Sequence, residues 1–574
     1  MPSLPCQRWK IAAPPADAVQ AISQATGLAP LLAQVLVNRG ITHPAQAAVF
    51  RDPEALALPN PLTEFPDLEK SVELLSQAIQ EKLPVAICGD YDADGMTSTA
   101  LLLRALRFLG GQVDYAIPSR MTDGYGINER IVREFAEAGI KLILTVDNGI
   151  SAYGAIALAV ELGLTVIITD HHDLPEILPP AQAILNPKLL PATSLYHGLA
   201  GVGVAYILAV TTAQRLGQLT GLTSQLLELY TLGTIADLAP LVGVNRRWLK
   251  RGLRLLPQSQ ILGVQALIKV ANIQVGQKSL QPDDIGFQLG PRINAVGRIG
   301  NPQWVIELLT TTNPDLAQEQ AQRCEETNRQ RQTLCETIEQ EAIKLIESTP
   351  LLWQEDRVLL VVHPHWHHGV IGIVASRLVE RYGVPVFIAT EEGEGQIRGS
   401  ARGTEEFHIY EALDRCKDLL GKFGGHRAAG GFSLAAANLE AFQQRLRTFA
   451  HEHLQPEQLR PLVKIDAEAR FADLTFELRQ QIDQLQPWGI GNEFPVFWTP
   501  QVRLLEQRRV GKEQKHLQLT LTDGPGQIKL KGIAWRWGEY APLPACLDLA
   551  YKLQVNDYRG EKTLQLEIVG CRLP

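Results

Sequence analysis

From Val85 onward the chain alternates short apolar runs with amphipathic helical stretches: VAICG (85–89), VDYAIP (113–118), LILTVD (142–147), TVIITD (165–170) and QAILNP (182–187). This alternation predicts a parallel sheet wrapped by helices. Ligands of such sheets collect at the carboxyl ends of the strands, and the residues that follow these runs are mostly aspartates. The segment DLAQEQAQRCEETNRQRQTLCETIEQEAIKLIEST has no internal Gly or Pro and places Ala317, Ala321, Cys324, Leu334, Ile338, Ala342 and Leu345 at helical spacing. It predicts one helix of about 50 Å, longer than a small domain needs and suited to connect two lobes. The following stretch repeats the alternation with RVLLVVH, GVIGIVASRLVERYG, VPVFIAT and the glycine-rich GGHRAAGGFS. The tail has short strand-like runs and turns such as TDGPG and NDYRG, which predict a small β-barrel. The expected division is an irregular N-terminal arm with short helices (1–80), an α/β domain (81–313), a connecting helix (314–350), a second, smaller α/β domain (351–455) and a barrel (456–574).

Composition narrows the class. With 45% hydrophobic and 20% charged residues over 574 positions, disordered, collagen-like and disulfide-scaffold proteins are excluded. The formal charge of -8 means that a polyanionic partner must be met by local basic patches. Seven scattered cysteines without a C-x-x-C pair suit a reducing compartment and oppose a zinc ribbon. The N-terminus lacks a signal-peptide layout and no apolar run is long enough to span a bilayer, so a soluble cytoplasmic protein is expected.

The chemistry concentrates at strand ends. In GDYDADGMTSTALLLRAL the first strand runs into Asp90, Asp92 and Asp94, with a helix expected from about Thr97. Three carboxylates in five residues raise one another's pKa unless a cation sits among them. Helix N-capping would account for one such aspartate but not for three. TVDNG adds Asp147, ITDHHD adds Asp170, His171, His172 and Asp173, and TIADLAP adds Asp237. Carboxylates with imidazole are the ligand chemistry of Mn²⁺ or Mg²⁺. Neighbouring histidines in an extended segment diverge, so one can meet a metal while the other faces substrate.

GDYDADG, TVDNG, TDHH and TIAD, in this order and spacing, resemble the four motifs of the DHH phosphoesterase superfamily. PRINAVGRIG (291–300), WHHGVIGIVASRL (366–378), RGSARG (398–403) and FGGHRAAGG (423–431) resemble more narrowly the RecJ family of single-strand-specific 5′→3′ DNA exonucleases. The resemblance runs from about residue 60 to the C-terminus. It implies a DHH catalytic domain, a DHHA1 domain after the connecting helix, and a C-terminal OB-fold barrel that tethers single-stranded DNA. It implies that Asp92, Asp94, Asp147, His171 and Asp237 hold one or two Mn²⁺ or Mg²⁺ ions, with Asp147 as bridge, Asp90 as a further candidate ligand, and His172 aimed at the scissile phosphate. Many superfamily relatives carry a histidine where this chain has Cys88, which leaves that ligand position open.

For the substrate, the resemblance implies a basic pocket for the strand's 5′ end built from Arg120, Arg292, Arg298, Ser400 and Arg402, with His426 contacting phosphate or base. The planar guanidinium suits this role because it pairs with two phosphate oxygens at once, although Arg298 could equally serve as a structural tie. The histidines of HPHWHHG (His363, His365, His367, His368) have no carboxylate or cysteine partner in the sequence, and no metal is assigned to them. The expected activity is removal of 5′-mononucleotides from single-stranded DNA by a monomer acting in recombination and repair, with a single-strand-binding protein and a helicase as candidate partners. Two rivals stand beside it. One is a small-nucleotide or oligoribonucleotide phosphoesterase, opposed by the barrel; the other is a non-catalytic replication scaffold, opposed by the intact Asp and His set.

Overall fold

The computed structural model describes residues 4–13, 15–119, 124–274, 279–348, 353–393, 395–523, 528–558 and 561–574. The chain forms two compact units, residues 52–331 with 486–493, and residues 1–51 with 332–485 and 494–574. None of the described helices is long and apolar enough to cross a membrane.

In the 52–331 unit five strands form an all-parallel sheet in the order Gln112–Ala116, Pro84–Cys88, Leu142–Val146, Thr165–Thr169, Ala183–Leu185. Each lies within a predicted apolar run or one residue outside it. Alternate residues serve opposite faces: Val85, Ile87, Leu144 and Ile167 join one core with Leu101 and Val204, while Ala86, Cys88, Ile143 and Ile168 join another with Ile131 and Ile156. A sheet buried on both faces needs continuous apolar strands. Pro84–Cys88 pairs with the strand that follows it on one side and with Leu142–Val146 on the other, so the chain reverses its direction of travel across the sheet there. That switch point opens a crevice beyond the carboxyl ends of these two strands.

Two local expectations are corrected in this unit and the helix that leaves it. The helix after the first strand spans Ala93–Phe108 and starts four residues before Thr97, because the Asp92 carboxylate caps it by accepting the Gly95 N–H at 3.0 Å. Asp94 therefore sits in the first helical turn. The long helix is continuous over Pro314–Ser348, but its buried stripe is Ala317, Ala321, Cys324, Cys335, Ile338, Ala342 and Ile346. Cys335 and Ile346 replace Leu334 and Leu345, which are half-buried. Residues 11 apart, about three turns, return to one face, which selects 324, 335 and 346.

In the other unit a mixed sheet runs in the order Leu420–Gly425, Ala429–Ala435, Gln396–Arg402, Val386–Glu392, Leu359–Val362. Only the last two strands pair in parallel, joined through helix His368–Tyr382; the rest is antiparallel, so the βαβ alternation continues for only one repeat. The glycine-rich stretch forms a hairpin with His426 in its turn. Gly425 (φ 145°) lies so close to the returning strand that a Cβ there would come 2.3 Å from the Ala429 carbonyl oxygen. The tail closes as a five-stranded barrel, Phe497–Val510, His516–Thr522, Lys529–Ala534, Glu561–Arg572 and Cys546–Tyr558, with the last pairing back to the first. Leu517, Leu519 and Leu521 fill its interior. The arm contributes an unforeseen strand, Arg8–Ile11, parallel to Leu462–Ile465, and helices Ala16–Thr26, Pro30–Asn38 and Pro44–Arg51.

Candidate active site

The loops that follow Cys88 and Val146 both enter the crevice. Asp92 caps the helix of which Asp94 forms the first turn. Asp94 is held from across the site: its two oxygens accept the N–H groups of Gly201 at 2.7 Å and Val202 at 2.8 Å, the first turn of helix Gly201–Arg215. Residue 201 has to be glycine, because a Cβ would sit 2.9 Å from both the Asp94 carboxylate and the Asp147 Cβ. Asp147 ends its strand with φ 60°, a left-handed conformation that aspartate tolerates better than most residues. Its N–H bonds the Thr169 carbonyl at 2.9 Å.

His171 occupies the centre. Its Nε2 lies 3.0 Å from Asp147 Oδ1 and 3.6 Å from Asp94 Oδ2, and its Nδ1 lies 4.0 Å from Asp237 Oδ2. His172 turns its Nδ1 to Asp170 Oδ1 at 2.7 Å. Three overlapping groups have ligand atoms within 4.8 Å of one another: Asp94, His171 and Asp237; Asp147, His171 and His172; and Asp90, Asp92 and Asp147. Asp147 belongs to two of them, and its Oδ1 is buried without accepting a hydrogen bond among the described residues. The donor set fits a hard divalent cation such as Mn²⁺ or Mg²⁺.

The electrostatics agree with that fit. Burial, then the charge of Asp92, pushes the Asp94 carboxyl up to about 7. Burial and then the charge of Asp94 raise Asp147 and Asp237 well above the ordinary carboxylate range. Burial and the neighbouring His172 lower His171 to about 4, so its imidazole is neutral and ready to ligate. For His172 burial works downward, but the hydrogen bond and charge of Asp170 outweigh it and raise the imidazole. Asp170 is held low despite its burial by the same hydrogen bond. Carboxylates that resist ionisation until a cation arrives, beside a neutral imidazole, are the electrostatic counterpart of a metal site.

Asp170, which the sequence placed among the strand-end groups without a role of its own, and three residues it did not name complete the framework. Asp170 also accepts the N–H groups of Ile150, His171 and His172, so it orients the histidine pair. Asn148 is fully buried and donates to the Cys88 and Val146 carbonyls, tying the two strand ends together. Asn294 accepts the Ala93 N–H at 2.9 Å, bracing the aspartate loop from helix Gly290–Ile299. Tyr125 donates to the Asp147 carbonyl at 2.6 Å and lies 3.1 Å from His172 Nδ1. Asp170 and Asn148 stand inside the quoted motifs, but a sequence does not distinguish a ligand from the residue that aims it. Cys88 is buried in the apolar core that also holds Ile131 and Val132, and burial raises its thiol pKa.

The candidate substrate residues are more dispersed. Arg120 lies outside the described residues. Arg292 pairs with Glu325 at 2.6 Å and donates to the Gln288 carbonyl at 2.7 Å, a tie between two helices of its own unit. Arg298 is half-buried on helix Gly290–Ile299. In the other unit Ser400 and Arg402 converge on one glycine: a Cβ on Gly372 would lie 3.4 Å from Ser400 Oγ and 3.1 Å from Arg402 Nη2. His426 is exposed, with its N–H bonded to the Ala429 carbonyl at 2.8 Å.

Known proteins match this chain along most of its length. Residues 84–234 match the DHH family N-terminal domain, 355–452 the DHHA1 domain and 465–570 the RecJ OB domain. The chain is 35% identical to the single-stranded-DNA-specific exonuclease RecJ of Bacillus subtilis, over 98% of this chain and 70% of that protein. It is 36% identical to the protein of that name from Escherichia coli, over 94% and 95%. The crystal structure of RecJ in complex with Mn²⁺ from Thermus thermophilus superposes with a TM-score of 0.84 at 30% identity, covering 99% of this chain and 80% of that one. Because the agreement extends through all three domain types and nearly the whole chain, the chain belongs to the RecJ family of exonucleases.

Proposed function

We propose that this protein is a metal-dependent exonuclease that hydrolyses single-stranded DNA from its 5′ end, releasing 5′-mononucleotides in recombination and repair. The observation that carries the reading is the convergence of Asp90, Asp92, Asp94, Asp147 and Asp237 with His171 at the switch point of the sheet, in a chain whose relatives bear that enzyme name. Asp92, Asp94, Asp147, His171 and Asp237 would hold two ions, with Asp147 shared and Asp90 in support. When bound, Mn²⁺ or Mg²⁺ supplies Lewis-acid polarisation of the phosphodiester and acidifies the attacking water. The His171 imidazole, neutral at working pH, offers a lone pair without competing for a proton. The His172 imidazole, whose charged form Asp170 favours and which Asp170 orients, donates to a nonbridging phosphate oxygen. Arg120, Arg292 and Arg298 of one unit serve the strand's phosphates, Ser400, Arg402 and His426 of the other unit are separate contacts to the strand, and the barrel tethers it behind.

The proposed setting is a cytoplasmic monomer following a helicase and a single-strand-binding protein. The test is incubation with Mn²⁺ and single-stranded DNA labelled at either end. Immediate release of labelled mononucleotide from the 5′ end alone is expected. Release from the 3′ end overturns the polarity, turnover confined to dinucleotides points to a small-nucleotide phosphoesterase, and no hydrolysis points to a scaffold.

A further inference from the structure

The turn that carries Asp237 is built in a way that neither folding nor solubility explains. Helix Thr223–Ala236 ends with the Leu238 N–H donating to the Ile235 carbonyl and the Ala239 N–H to the Thr234 carbonyl, both at 3.2 Å. This is the Schellman arrangement, in which the left-handed residue is ordinarily glycine. Here it is Leu238, with φ 62° and 64% exposure. A leucine at that place strains the backbone and presents its apolar side chain to water.

A second exposed apolar side chain belongs to a segment that packs on the end of the same helix. Phe287 is 78% exposed and lies in the π-helical turn Asp284–Leu289, a wide turn frequent at functional sites. The glycines on either side of it pack on the last helical turn before Asp237. A Cβ on Gly290 would sit 3.1 Å from the Ala236 Cβ, and one on Gly286 would sit 4.0 Å from Ile235 Cγ2. The helix that continues from this turn braces the aspartate loop through Asn294, so Phe287 and the carboxylates share one rigid support. Three residues beyond Leu238, the Leu241 N–H bonds the carbonyl of half-exposed Ile490 at 2.7 Å.

We propose that Leu238 and Phe287 form an apolar lip of the active site that receives the base of the nucleotide being released. This rests on the reading of the site as a single-strand exonuclease. An aromatic ring and an alkyl group offer a base face dispersion and stacking without hydrogen bonds to its edges, so all four bases are accepted. Strain at Leu238 persists because glycine, the residue the turn prefers, would remove the contact.

The test uses the full chain with Mn²⁺ and two oligodeoxynucleotides, one intact and one lacking the base of its terminal nucleotide at the degraded end. The wild type is expected to cleave the intact strand roughly tenfold faster in kcat/KM, most of it in KM. Leu238→Gly and Phe287→Ala should each bring that ratio toward one. Leu238→Gly should also raise Tm, because relief of strain stabilises the fold that a merely structural leucine would support. An unchanged ratio in both variants, or a wild type indifferent to the missing base, overturns the lip while leaving the nuclease standing. A wild type that hydrolyses neither strand removes the nuclease reading and the lip with it.

Discussion

The chain concentrates histidine in two places, ITDHHD (168–173) and HPHWHHG (363–369), and both follow an apolar strand. After Thr165–Thr169 the imidazoles enter a crevice where Asp94, Asp147 and Asp237 also arrive, and Asp170 aims the pair. After Leu359–Val362 the imidazoles do structural work. His363 stacks on Trp366 with centroids 5.0 Å apart, His367 caps helix His368–Tyr382 by accepting the Gly369 N–H at 3.1 Å, and His368 lies 3.2 Å from Glu392. The difference lies in neighbouring loops. An all-parallel sheet sends several strand ends to one edge, whereas the mixed sheet has a single parallel pair and sends its remaining loops to both edges.

Variants can break this contrast. Asp147→Ala should lower DNA hydrolysis more than about 10³-fold, beyond the loss of a single oxyanion donor, with an unchanged circular dichroism spectrum. His172→Ala should cost about 10²-fold or more in kcat, as for a group that touches the reacting phosphate. Asp170→Asn should cost about 10- to 100-fold, measured as kcat and metal affinity together. Near-wild-type turnover in any of these would dissolve the distinction between the two stretches.

Smaller effects sharpen the contrast. In chelated protein Asp94, raised to about 7, and its raised neighbours Asp147 and Asp237 bind protons more tightly folded than unfolded. Stability should therefore fall as pH rises from about 4 through about 7. Adding Mn²⁺ should raise Tm more at about pH 8 than at about pH 5; equal shifts would mean the carboxylates are not the ligands. At the other stretch, His367→Ala should cost about 1 kcal/mol of stability from the lost cap. His365→Ala, on an exposed turn, should stay within about 0.5 kcal/mol.

Much of the fold was legible. The five-residue strands that run into Asp90, Asp147 and Asp170, the uninterrupted Pro314–Ser348 helix and the turn-rich tail followed from periodicity, because local burial and propensity dictate them. The cluster of strand-end carboxylates was legible for the same reason: the loops of parallel strands have one place to go. The start of the Ala93–Phe108 helix was missed because Asp92 serves as both cap and candidate ligand, and the pairing of Arg8–Ile11 with residues more than 450 positions away left no local trace. Arg292 shows the limit for single residues, since its motif gives no sign of the Glu325 carboxylate that pairs with it.

The sequence by itself determined which residue types were available for chemistry, and the short-range order that places each after a strand or within a helix. Tertiary structure alone decided which of them meet. The crevice exists because the Pro84–Cys88 strand lies between neighbours reached by opposite crossovers. The roles of Asp170, Asn148 and Asn294 exist because groups far apart in sequence come within hydrogen-bond distance. Periodicity carries local free energies, whereas the placing of a carboxylate against an imidazole, or of Leu238 in a turn that prefers glycine, depends on packing across the whole unit.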